Sequence, residues 1–109
     1  MRIITASLLA AGLGLGLGLA APARADGNPE EAMNKAGCLA CHSKEKKIVG
    51  PSFKDIAAKY KGQDVVATLM QKVRSGGKGS FGPVPMAPTG PEKIGDAELK
   101  AAVEFILKS

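Results

Sequence analysis

The sequence predicts an all-α fold of about four short helices. Three observations carry this expectation. Apolar residues recur at helical spacing behind a polar start, as in Asp64 followed by Val66, Leu69, Met70 and Val73. No segment has the apolar–polar alternation or the β-branched density of a strand. One stretch, residues 76–95, holds six glycines and four prolines, which excludes both a helix and a central strand.

The elements can be taken in order. The chain begins MRIITASLLAAGLGLGLGLAAPARA. Arg2 precedes an apolar run broken by Thr5, Ser7 and glycines, and Pro22 leads into Ala23-Arg24-Ala25. A charged start, an apolar stretch and a small-x-small site form the pattern of a cleaved secretory leader. The competing reading is an uncleaved anchor, because roughly 20 apolar residues span a bilayer. Alternating glycines from Gly12 to Gly18 weaken such a helix, so cleavage after Ala25 is expected. Removing 25 of the 109 residues leaves 84, a single domain over 26–109. Arg2 and Arg24 leave too, so 13 Lys and Arg face 10 Asp and Glu, a net charge of +3. With Arg74 the one remaining arginine and no basic stripe interleaved with aromatics, a nucleic-acid partner is not expected.

In the domain, Asn28-Pro29-Glu30-Glu31 starts a helix. Asparagine caps, proline suits the first turn, and the glutamates favour the positive end of the helix dipole. Gly37 stops it. Residues 43–51, SKEKKIVGP, read as a charged loop. Ser52 caps a short helix from Phe53 to Tyr60, which Gly62 ends. Asp64 is expected to cap a third helix, closed by Gly76-Gly77. Asp96 is expected to cap a fourth, with Leu99, Ala102, Val103 and Ile106 on one face.

This domain is short of core. Its aromatic residues are Phe53, Tyr60, Phe81 and Phe105, with no tryptophan. A domain of this size buries only about 60–65% of its unfolded surface. Small exported domains usually add disulfides or a metal. Two cysteines allow one bridge at most.

Those cysteines stand in Cys38-Leu39-Ala40-Cys41-His42, the C-x-x-C-H pattern of c-type haem attachment. Two thiols at this spacing can add across the two vinyl groups of haem. The adjacent His42, the only histidine, can then reach the iron from one face. Other readings fit less well. A structural zinc site takes four ligands, and only three Cys and His exist. A redox-active thiol pair belongs in a βαβ context, which is absent from the pattern. A disulfide between Cys38 and Cys41 would close too short a loop to stabilise much.

Covalent haem c, with its iron, also supplies the missing core. Opposite His42 the iron offers a sixth position, and a thioether suits it. Met33 and Met70 lie in helices and read as core or surface filler. Met86 alone sits in a loop, FGPVPMAP, stiffened by Pro83, Pro85 and Pro88. Such a loop loses less entropy in holding a sulfur at one point. The competing reading of Met86 is loop packing. Pro51 offers a carbonyl without an N–H, suited to accept from the other ring nitrogen of His42, or else it is a plain turn proline. Gly50 permits close backbone approach.

GCLACH, VGPSFKDIAAKY and FGPVPMAP, in this order and with a capped C-terminal helix, resemble the short bacterial class I cytochromes c of the c-551/c-552 type. The resemblance spans essentially all of residues 28–109. It implies one haem bonded to Cys38 and Cys41, iron ligands His42 and Met86, and the carbonyl role of Pro51. It also implies crossed N- and C-terminal helices with Phe105 near the contact, and periplasmic electron transfer with a terminal reductase or oxidase and an upstream donor. The sequence departs from the family pattern at three places. Phe81 stands where the family often has a tryptophan donating to a haem propionate, and Phe81 has nothing to donate. Lys72 stands where an arginine often serves the same propionate, with Arg74 a second candidate. Thr89 replaces an asparagine that often steadies the methionine sulfur.

The expected function is a monomeric, soluble single-electron carrier, not an enzyme. The alternative is a peroxidase-like haem enzyme or ligand sensor, which needs a labile sixth position and distal acid–base groups. Docking is expected beside Cys38, Leu39, Val84, Pro85 and Ala87. Lys35, Lys44, Lys46, Lys47 and Lys78 are candidates for a rim.

Overall fold

The computed structural model describes residues 27–109, together with Gly12 and Gly14. The expected leader, residues 1–25, lies outside them apart from those two glycines. Four helices follow in order: α1 (Pro29–Lys35), α2 (Phe53–Lys59), α3 (Val66–Ser75) and α4 (Asp96–Leu107). A 3-10 turn, Cys38–Ala40, lies between α1 and α2. The described residues contain no strand, only isolated bridges. The fold is all-α, as expected.

Local chemistry sets the first two helices. The Asn28 side chain accepts from the Glu30 N–H at 3.0 Å, and Pro29 occupies the first helical position. The Ser52 hydroxyl accepts from the Asp55 N–H at 3.0 Å, and Ser52 is itself buried. The other two starts differ from expectation. The α3 cap is Val65, without a side-chain bond, so Asp64 lies one residue too early to serve. The α4 cap is Gly95, and Asp96 is the first helical residue. Its carboxylate goes to the Arg74 guanidinium at 2.7 Å instead of to its own helix's N–H groups.

The long C-terminal helix organises the rest, because α1, α2 and α3 all pack on it. Leu99, Ala102 and Val103 of α4 are buried with Ala32 and Met33 of α1, its C-cap Ala36, Phe53 of α2, and Ile94. Of the two readings of Met33, core or surface filler, the structure shows core. From α3, Val66, Leu69, Met70 and Val73 pack against this core half-buried, the i, i+3, i+4, i+7 set that the pattern picked out. Small alanines let α1 and α4 approach. Phe105 packs at the margin of the core, where Lys44 lies 5.5 Å above its ring. Cys38 of the C-x-x-C-H turn packs half-buried against this core.

Candidate functional site

The site is built from three segments. In the first, the Cys41 and His42 N–H groups both donate to the Cys38 carbonyl, at 3.1 and 3.0 Å. This winds the motif into one turn, so residues at i, i+3 and i+4 share a side. Cys38 is half-buried, Cys41 is exposed, and no disulfide joins them. Burial pushes the Cys38 thiol above its ordinary value. A backbone hydrogen bond opposes the shift, and the neighbouring Cys41 adds to it. A low-pKa thiolate nucleophile needs the reverse shift at Cys38.

The second segment orients His42. Its Nδ1 lies 2.7 Å from the Pro51 carbonyl oxygen. A carbonyl can only accept, so Nδ1 is the donor, which in the neutral tautomer leaves Nε2 its lone pair. The ring also stacks on buried Phe53, with centroids 5.9 Å apart and planes 25° from parallel. Gly50 closes the other approach. A Cβ there would come within 2.5 Å of His42 Cε1, and the Gly50 N–H donates to the Cys41 carbonyl at 2.7 Å. Tautomer and orientation are thus both set, as a metal-binding imidazole requires.

The third segment holds Met86. Its N–H donates to the Gly77 carbonyl at 2.8 Å, and its carbonyl accepts from the Gly77 N–H at 3.0 Å. At Gly76 the φ is +69°, and a Cβ would meet the Met86 carbonyl oxygen at 2.4 Å. Three residues on, the Thr89 N–H donates to the Val73 carbonyl at 2.9 Å. Thr89 is buried, and Met86 is half-buried.

Phe81 and Lys72 meet in one cluster. The Lys72 ammonium donates to the Ser80 hydroxyl. Phe81 is 38% exposed and packs its edge on Tyr60, centroids 6.3 Å apart. Lys59 was not singled out by sequence, yet its ammonium donates to the Ser80 carbonyl and lies 4.6 Å above the Phe81 ring. Its only sequence signal is its place in the last turn of α2, which says nothing of Ser80, 21 residues away. Arg74 is a correction. It is not at this cluster, because its guanidinium is engaged by the Thr89 carbonyl at 3.2 Å and by Asp96.

The donor set fits a porphyrin better than a bare metal ion. Among the described residues no three His, Cys, Asp or Glu gather into a metal site. The large apolar side chains that stand exposed are Leu39, Ile48, Val49, Phe81 and Val84. All five come from the three segments that carry the site. Exposed apolar side chains on these segments suit a flat, mostly apolar group bonded to Cys38 and Cys41, with one oriented imidazole nitrogen available to its iron.

Comparison with known proteins agrees. A family model described as "Cytochrome C oxidase, cbb3-type, subunit III" matches residues 24–106. Cytochrome c2 of Rubrivivax gelatinosus is 49% identical over 82 residues, covering 74% of this chain and 96% of its own. Cytochrome c-551 of Azotobacter vinelandii is 43% identical, covering 72% and 93%. Among solved structures, wild-type cytochrome c552 of Nitrosomonas europaea superimposes with a TM-score of 0.64 at 39% identity, covering 72% of this chain and 96% of its own. A Class 1 cytochrome of Sideroxydans lithotrophicus gives 0.62 at 26% identity, covering 73% and 90%.

Proposed function

This chain belongs to the small class I monohaem cytochromes c of the c-551/c-552 type, electron carriers rather than enzymes, and from that premise we propose that it shuttles single electrons between periplasmic redox proteins through one haem c. The observation that carries the reading is the turn Cys38–His42, with His42 Nδ1 tied to Pro51 and its other ring nitrogen available. Haem, once bound, supplies an iron that gains and loses one electron.

The chain's residues do the rest. Cys38 and Cys41 would hold the group through two thioethers, each thiol adding its sulfur and hydrogen across a vinyl bond. His42 Nε2 would bind its iron, and Pro51 and Gly50 keep the ring from turning. The Met86 sulfur would be the second protein ligand, on a backbone pinned to Gly77. Ligands held in place by the chain would leave little to rearrange when an electron moves. Lys72 and Lys59, gathered at Ser80 beside Phe81, would favour an ionised propionate in place of a neutral N–H donor.

The leader reading places this carrier outside the cytoplasm, where c-type attachment is usually completed. No described helix is long and apolar enough to cross a membrane. The 84 residues left by cleavage after Ala25 nearly equal the 82 matched to the Rubrivivax cytochrome. Docking through Leu39 and Val84, 36% and 55% exposed, would bring a partner close to the attachment turn and the ligand loop. The partners fitting this are an upstream donor and a terminal reductase or oxidase.

The test is mass spectrometry and potentiometry on the protein purified from a periplasmic extract. A chain starting at Asp26 with one covalent haem and a single one-electron Nernst wave is expected. A thiol-bearing chain without haem, or peroxide turnover at a rate typical of an enzyme, would overturn the reading.

A further inference from the structure

The ligand loop is fixed at two points. At Met86 the anchor is the reciprocal backbone pair with Gly77. At Thr89 there are two grips from the last turns of α3: the Val73 carbonyl takes the Thr89 N–H at 2.9 Å, and Arg74 Nη1 donates to the Thr89 carbonyl at 3.2 Å. Both polar groups of one peptide-bearing residue are thus held by adjacent residues of one helix. The same guanidinium reaches Asp96 through Nη2 at 2.7 Å. A planar fork with separate donors can serve two acceptors at once, which an ammonium on a flexible stem does poorly.

We infer that Arg74 is a positioning residue for the Met86 ligand: it straps the outgoing end of the Met86 loop to α3 through the Thr89 carbonyl, and so limits how often the sulfur leaves iron. The inference rests on Met86 being that ligand. Between the two anchors lie only Ala87 and Pro88, and Pro88 has a fixed φ and no N–H. A loop this short and stiff transmits a displacement at Thr89 to Met86. The Arg74 side chain is only 19% exposed, whereas Asp96 is 86% exposed. The bond to Thr89 is therefore the shielded one. The pair with Asp96 is open to water and screened, and contributes little by itself.

The test compares holoprotein carrying Arg74→Gln or Asp96→Asn with the parent chain. Native-state amide hydrogen exchange is followed at Thr89 and Met86, with Val103 of buried α4 as reference. In the same samples, imidazole binding to the ferric protein is timed. In Arg74→Gln, exchange at both loop amides and the imidazole on-rate should rise about tenfold or more, since a charge-assisted hydrogen bond is lost. Exchange at Val103 should move far less. Asp96→Asn should stay within about threefold of the parent, as expected for a surface pair. A merely structural role for Arg74 would speed exchange equally at all three amides. That result, or loop exchange and imidazole binding left unchanged by Arg74→Gln, would overturn the inference. If Met86 were not the ligand, the parent would bind imidazole fast and Arg74→Gln would leave that rate unaltered, while the loop amides would still report on the strap.

Discussion

Gly77 and Met86 exchange both of their backbone hydrogen bonds, at 3.0 and 2.8 Å, so the chain on either side of the proline-rich loop closes into one bridge. The bridge forms because Gly76, just before it, turns the chain out of α3 at a φ of +69° and lets the Met86 carbonyl approach where a side chain would stand. A side chain at Gly76 faces two penalties, backbone strain and a collision with backbone that cannot swing away.

Gly76→Ala is accordingly compared with Gly62→Ala. Gly62 also has a positive φ, +78°, but nothing lies within 4 Å of its would-be Cβ. Both variants should lose about 1–3 kcal/mol from strain. Gly76→Ala should lose more, and it alone should disturb the ferric spectrum. Urea unfolding and absorbance on the same samples check this.

A second expectation concerns His42. Gly50→Ala places a methyl group against the imidazole, 2.5 Å from Cε1 before relaxation. The ring must tilt away from the Pro51 carbonyl. Losing that hydrogen bond makes the imidazole a weaker donor to iron. The potential should rise, because the ferric state depends more on ligand basicity. An unchanged potential would mean that Pro51 does not tune the ligand.

The helices were largely legible in the sequence, and the reasons are local. Asn28 and Ser52 cap because their own chain presents the N–H groups two and three residues on. Asp96 was misread because the acceptor's real partner, Arg74, lies 22 residues away and is delivered only by packing α3 on α4. Lys59 escaped notice for the same reason. The attachment turn was legible because its chemistry is written in five consecutive residues. The pinning of Met86 was not, since the pairing partner of a loop backbone leaves no residue-type signal beyond Gly76-Gly77.

The cluster at Ser80 gives a third expectation. Two ammonium groups favour the ionised form of a nearby propionate and lower its pKa. In Lys59→Gln with Lys72→Gln that pKa rises. The potential falls with pH as the propionate ionises, so this fall should move to higher pH, by up to about one unit. Phe81→Trp adds an N–H donor and should move it to lower pH. Redox titration across pH checks both variants, and superimposable curves would mean that no propionate faces this cluster.

Docking supplies a fourth. Two of the candidate rim lysines are already engaged, Lys35 with Glu31 at 3.2 Å and Lys44 with Glu30 at 2.8 Å. The net charge left after the leader is only +3, so long-range steering should be modest. Electron-transfer rates with an acidic partner should fall by less than about tenfold between low and physiological salt. Val84→Asp should slow transfer more than Lys46→Ala. Stopped-flow kinetics against the physiological oxidant would decide, and a steep salt dependence with Val84→Asp harmless would show that charge governs the encounter.

The central claim is that iron sits between His42 and Met86, and the visible spectrum of the ferric protein tests it most directly, taken on the parent chain and on Met86→Ala. The parent should show the weak red charge-transfer band of iron–thioether bonding. Met86→Ala should keep its covalent haem, lose that band, and titrate at a lower potential. A parent without the band, or a Met86→Ala protein that retains it, would contradict the assignment.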